Sequence, residues 1–154
     1  ENINSEKHLE AEVRRIIRND ILVVNRNLLL LDNKKSVDIL VCRNGLNPKV
    51  FFIEIKYHKS NHGRLGFGHA KGAGFQPELL TKRPDYFESN LRWIIGSDKN
   101  DSFILLENEQ ILKYIQGDKI DVKFNGLNHQ KLFKECEKLN RAQLVMKLLH
   151  WFDK

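Results

Sequence analysis

Val50-Phe51-Phe52-Ile53-Glu54-Ile55-Lys56-Tyr57 is apolar, β-branched and aromatic apart from two charges, Glu54 and Lys56. Such a run between turn residues predicts a strand. Side chains alternate across a strand, so Val50, Phe52, Glu54 and Lys56 share one face, and Phe51, Ile53, Ile55 and Tyr57 the other. Glu54 and Lys56 then stand about 7 Å apart. A strand this apolar belongs inside a sheet, and two charges on a core-facing side are costly unless they are used.

Working upstream, Arg43-Asn-Gly-Leu-Asn-Pro-Lys49 is a Gly- and Pro-punctuated turn. Ser36–Cys42 predicts a strand before it, and that turn pairs the two strands and carries Asp38 toward Glu54. Asp32–Lys35 predicts a turn, preceded by a strand at Leu28–Leu31 and one at Ile21–Val24. Residues 5–18 predict a helix with Ser5 as N-cap and Leu9, Val13, Ile16 and Ile17 as its apolar stripe. Asn19-Asp20 is expected to end it. Downstream, residues 58–75 hold five of the nine glycines and three of the six histidines, with Lys59, Arg64 and Lys71, and predict a long surface loop. A helix follows from about Gln76 or Pro77. Strands are predicted at 92–95 and 102–106. Residues 128–152 predict a long amphipathic helix or a helix pair.

Two carboxylates on neighbouring strands form a hard oxygen site suited to Mg²⁺, which takes one or two carboxylates and keeps several waters. A metal there would acidify a water and neutralise a phosphate oxygen, and an adjacent Lys stabilises the transition state. Those are the parts that phosphodiester hydrolysis needs.

Composition agrees with an anionic partner. Lys and Arg number 26 against 20 Asp and Glu, a net charge of +6, with a pI near 9.3. At 41% hydrophobic and 30% charged, the chain is globular rather than disordered. No apolar run approaches the roughly 20 residues that span a bilayer, so no membrane is expected. Glu1-Asn-Ile-Asn-Ser-Glu6 does not read as a signal peptide, and a chain beginning at Glu has lost its initiating Met or more. Cys42 and Cys136 fit neither a disulfide framework nor zinc spacing; they read as buried free thiols in a reducing cytoplasm. His58, His62 and His69 read as exposed loop residues.

The order helix-Glu, then Val37-Asp-Ile-Leu-Val41, then Phe52-Ile-Glu-Ile-Lys56 resembles the PD-(D/E)xK nuclease superfamily. Residues 6–57 carry the resemblance, roughly a third of the chain. Glu10–Val24, Lys34–Val41 and Ile53–Lys56 look most like archaeal Holliday-junction resolvases. Val37 stands where the motif's name has Pro, and beyond Tyr57 the resolvase pattern stops. The resemblance implies an α/β fold with a restriction-endonuclease-like core: a mixed central β-sheet flanked by helices, in α-β-β-β-α-β order, with a C-terminal helical segment. It implies one domain over 1–154, with its core at about 5–106 and the helical segment at about 128–152.

The implied metal ligands are Asp38, Glu54 and the Ile55 carbonyl. Lys56 is the implied base or transition-state cation and Glu10 the implied helix carboxylate. Glu6 rivals Glu10, being nearer the centre of the apolar stripe, and Gln76 is a further accessory candidate. Lys59, Arg64 and Lys71 are expected on phosphates. The implied activity is a Mg²⁺-dependent DNA endonuclease, with Mn²⁺ able to substitute, acting on duplex or branched DNA as a homodimer and leaving a 5′-phosphate. The alternatives are a catalytically inactive nucleic-acid-binding subunit with the same fold, and a defence nuclease acting on RNA or single strands.

Overall fold

The computed structural model describes residues 3–31, 38–60, 65–66, 89–114 and 126–154. The fold is α/β, a five-stranded mixed sheet flanked by helices. Helix α1 (Glu6–Ile16) starts where the Ser5 side chain accepts from the His8 amide, and it buries Leu9, Val13 and Ile16.

The chain departs from expectation at Ile21–Val24. No strand forms there: α1 runs into a π-helical turn (Ile17–Ile21), closed by Leu22 N–H donating to the Ile17 carbonyl. Ile17 and Ile21 are fully buried on the helical stripe, while Val23 and Val24 are exposed. A four-residue apolar run is ambiguous in period, and packing decided it here for the helix. Asn19-Asp20 widens the helix instead of ending it.

Strands β1 (Leu28–Leu31), β2 (Ile39–Arg43) and β3 (Lys49–His58) follow as an antiparallel meander. Gly45, at φ 114°, supplies the left-handed residue in the β2–β3 turn. The register this turn sets pairs Ile39 with Ile53. A two-residue strand β4 (Leu65–Gly66) comes next. Strand β5 (Leu91–Ser97) lies parallel to β3, and β6 (Asn100–Leu106) returns antiparallel to β5. The sheet order is β1-β2-β3-β5-β6, so β3 is central. The helix expected from Gln76, and with it the second α of the expected order, lies outside the described residues.

Helix α2 (Asn108–Leu112) follows β6, and β7 (Gly126–Leu127) pairs with β4. The C-terminal apolar pattern is a helix pair, α3 (His129–Glu135) and α4 (Arg141–Phe152). The break occurs where Leu139 exchanges main-chain hydrogen bonds with Phe103, and a capping box between Asn140 and Gln143 restarts the helix.

Each face of the sheet has its own core. Phe51, Ile53 and Ile55 pack with α1 and α4; Leu91, Trp93, Ile95, Ile104 and Leu106 pack with Ile111, Leu127 and Leu132. Glu54 and Lys56 belong to the second face by alternation. Both cysteines are free, but half-buried rather than buried.

Candidate active site

Asp38 stands just before β2, opposite Glu54 and one step beyond the Ile39–Ile53 pair. The β2 ladder stops there, and the Asp38 side chain takes over: its Oδ2 accepts a hydrogen bond from the Ile55 amide at 2.7 Å. The Asp38 carbonyl is held in turn by Arg14, whose Nη2 donates to it at 2.5 Å. Sheet register and one helix side chain thus fix Asp38 from both sides.

Glu54 and Lys56 are 1% and 6% exposed, so the central strand does bury both charges. Burial and the Asp38 carboxylate push the Glu54 carboxyl up to about 9, and a side-chain hydrogen bond with Asp38 adds to the rise. Two carboxyl groups so close share a proton more readily than both ionise. Burial also lowers the Lys56 ammonium from its ordinary value, against the opposing pull of Glu6, Glu54 and Asp38.

On α1, Glu6 is the carboxylate that acts most strongly on Lys56, and it also acts on Glu54. Glu6 is exposed as a whole residue, but its carboxyl is crowded enough for burial to raise its pKa. Lys56, Asp38 and Glu10 are the charges acting on it. Glu10 instead pairs with Arg14 at 3.5 Å. Glu10 therefore meets the site through Arg14 and the Asp38 backbone.

Among the described residues, no three His, Cys, Asp or Glu side chains close into a metal cage. Mg²⁺ does not ask for one: one or two carboxylates with several waters suffice. Asp38 and Glu54, in hydrogen-bond contact, offer that donor set, with the Ile55 carbonyl on the same strand. A proton-sharing carboxyl pair is also a group that a divalent cation would ionise. The residues fit a hard divalent cation.

Two arrangements escaped the sequence reading. Arg14 is one, because nothing in a helix sequence says which Arg meets a strand carbonyl. His58 is the other. It is not an exposed loop residue but the last residue of β3, 4% exposed. Its ring stacks on His129 with centroids 4.0 Å apart. The signal was present, since His58 continues the alternation through Glu54 and Lys56. Lys59 is exposed just beyond β3. Arg64, Lys71, Gln76, His62 and His69 lie outside the described residues.

No family model, curated protein or solved structure matches the chain. Among the described residues, no helix is long and apolar enough to cross a membrane.

Proposed function

We propose that this protein is a Mg²⁺-dependent endonuclease of the PD-(D/E)xK kind that hydrolyses DNA phosphodiester bonds. The observation that carries the reading is the Asp38–Glu54 carboxyl pair, pinned by the Ile55 amide and flanked by buried Lys56. Asp38, Glu54 and the Ile55 carbonyl would hold the metal. When bound, Mg²⁺ supplies a Lewis acid for a phosphate oxygen and an acidified water for attack.

The chain's own residues do the rest. The Ile55 amide orients the Asp38 carboxylate and the Arg14 guanidinium holds the Asp38 carbonyl, which pre-positions the carboxylate as a ligand. Lys56, with its ammonium lowered by burial, is suited to accept a proton from the attacking water. As a cation it steadies the charge that develops on the phosphate. Glu6 stands near enough to Lys56 to tune its protonation. As the water oxygen bonds to phosphorus, the bond to the 3′-oxygen breaks; that oxygen takes a proton from solvent, and the 5′ side keeps the phosphate. Cutting both strands of a duplex would take two copies, one site per strand.

A single assay tests the proposal. Supercoiled plasmid, linear duplex, a four-way junction, single-stranded DNA and RNA are each incubated with and without Mg²⁺, with Glu54→Gln as control. Discrete duplex fragments identify restriction-type cleavage, and paired nicks at the junction identify a resolvase. Preference for RNA or single strands supports the defence-nuclease alternative. Salt-dependent binding with no Mg²⁺-dependent cleavage of any substrate overturns the enzyme in favour of a binding subunit.

A further inference from the structure

The sheet ends on one side at β1, Leu28-Leu29-Leu30-Leu31, which pairs with β2 and, among the described strands, has no neighbour on its outer side. Edge strands usually carry a charge, a proline or a bulge that discourages pairing with another chain. Strand β1 carries none of these: it is four leucines in unbroken register with β2.

The phase of the ladder says which main-chain groups face outward. Asn44 N–H donates to the Asn27 carbonyl at 2.6 Å, so these two residues are a hydrogen-bonded pair that extends the β1–β2 register by one step. Such pairs alternate along an antiparallel ladder. Leu29 and Leu31 therefore bond to β2, while Leu28 and Leu30 turn their main-chain groups to the outer edge. The Leu28 amide is drawn back toward the Asn25 carbonyl at 3.4 Å.

The side chains divide the same way. Leu28 and Leu30 pack into the core that holds Phe51, whereas Leu29 and Leu31 are 47% and 37% exposed on the other face. Register carries that apolar face inward: Leu29 stands beside Cys42 and then Val50, and Leu31 beside Leu40 and then Phe52. Among the described residues, eight large hydrophobic side chains are exposed, and six of them lie between residues 23 and 50: Val23, Val24, Leu29, Leu31, Leu46 and Val50. Together they expose on the order of 600 Å² per copy. A standard protein interface takes about 800 Å² from each side, of which about 60% is apolar. The apolar surface around β1 is thus of the size that a stable pair of copies needs.

We propose that β1 pairs with β1 of a second copy, antiparallel about a two-fold axis at Leu29. The segment is complementary to itself in this register. Leu28 stands opposite the partner's Leu30, so outward groups meet outward groups on both sides of the axis. Leu29 meets the partner's Leu29 as a non-hydrogen-bonded pair, with Cα atoms about 4.5 Å apart. Two five-stranded sheets then become one, and growth stops there because each copy has used its β1. The two-fold is perpendicular to the sheet, so Glu54 and Lys56 of both copies face the same side. Cutting both strands of a duplex would use that arrangement, but the pairing does not depend on cleavage.

Sedimentation equilibrium on the full chain, from micromolar concentration upward, tests the proposal. Wild type is expected to be a dimer. Leu29→Lys sets two like charges on the axis at a position that is already exposed, and it should weaken the dimer at least about 100-fold. Met146→Lys, exposed on α4, should dimerise like wild type. Cross-linking is the second readout, and it covers a Leu29→Lys chain that fails to fold. In a Cys42→Ser, Cys136→Ser background, Leu29→Cys should form a disulfide-linked dimer under mild oxidation, because paired Cα atoms fall within the roughly 4.4–6.8 Å that a disulfide spans. Leu31→Cys, two residues off the axis in each copy, should not. A wild-type chain that stays monomeric at the highest concentration overturns the proposal. So does a dimer that Leu29→Lys leaves intact, or equal cross-linking through Leu29→Cys and Leu31→Cys, since either places the interface elsewhere.

Discussion

The Asp38 carboxylate accepts the amide hydrogen of Ile55 at 2.7 Å, so a side chain completes the hydrogen bonding of the central strand where β2 stops. Asp38 therefore has a structural role and a proposed metal-binding role, and substitutions separate them. Asp38→Ala leaves the Ile55 amide without that acceptor, a loss of about 1–3 kcal/mol. Asp38→Asn keeps an acceptor oxygen and removes the charge. Thermal unfolding should show Ala clearly destabilised and Asn close to wild type. Cleavage should fall by at least about 100-fold in both. A fully active Asp38→Asn would remove Asp38 from the ligand set.

Glu54 makes stability depend on pH in a definite direction. Its carboxyl is raised from 4.5 to about 9 in the folded chain. The folded state thus favours the protonated form, and this contribution is complete below 4.5. It is lost as pH rises from there through about 9. Glu6 is raised as well and acts with the same sign. Lys56 is lowered, and its contribution grows as pH rises toward 10.5. Comparing wild type with Glu54→Gln isolates the Glu54 part. In EDTA, Glu54→Gln should gain stability on wild type steadily between pH 5 and 9, read from denaturant midpoints. Parallel curves for the two proteins would contradict the buried, proton-sharing carboxyl.

Lys56 is buried beside the carboxylates but carries no ligand atom for a cation. Lys56→Met keeps the aliphatic length of the side chain and removes the ammonium, so folding should survive. Mg²⁺ affinity, followed by calorimetry, should hold or improve, because a positive charge beside the ion is gone. Single-turnover cleavage should drop by about 10²–10³. Turnover at the wild-type rate would exclude Lys56 as base or as transition-state cation.

Much of this arrangement was legible in the sequence. The alternation in Val50–Tyr57 placed Glu54 and Lys56 on one buried face, and the Gly-containing turn brought Asp38 opposite Glu54. Both follow from period-two geometry, which is local. Ile21–Val24 misled because β-branched residues favour strands, while burial of Ile17 and Ile21 against the core rewards one more helical turn. The Arg14 contact to the Asp38 carbonyl and the His58–His129 stack were not legible. Each joins residues far apart in the chain, and no periodicity records which side chain a fold brings to a distant backbone.

Glu6 and Glu10 lie one helical turn apart and differ in what they meet. Glu6 is the strongest of the charges that sustain the Lys56 protonation, whereas Glu10 is engaged by Arg14 at 3.5 Å. Removing the Glu6 charge should lower the Lys56 ammonium further and move the rising limb of the pH–rate profile to lower pH. Glu6→Gln is expected to show that shift, while Glu10→Gln loosens an exposed-side ion pair worth under about 1 kcal/mol and leaves the profile in place. Double substitution with Lys56→Met provides the check, since the Glu6 effect on the profile should vanish once the ammonium is gone. If Glu10→Gln moves the profile and Glu6→Gln does not, the helix carboxylate is Glu10, and Arg14 transmits its charge to Asp38.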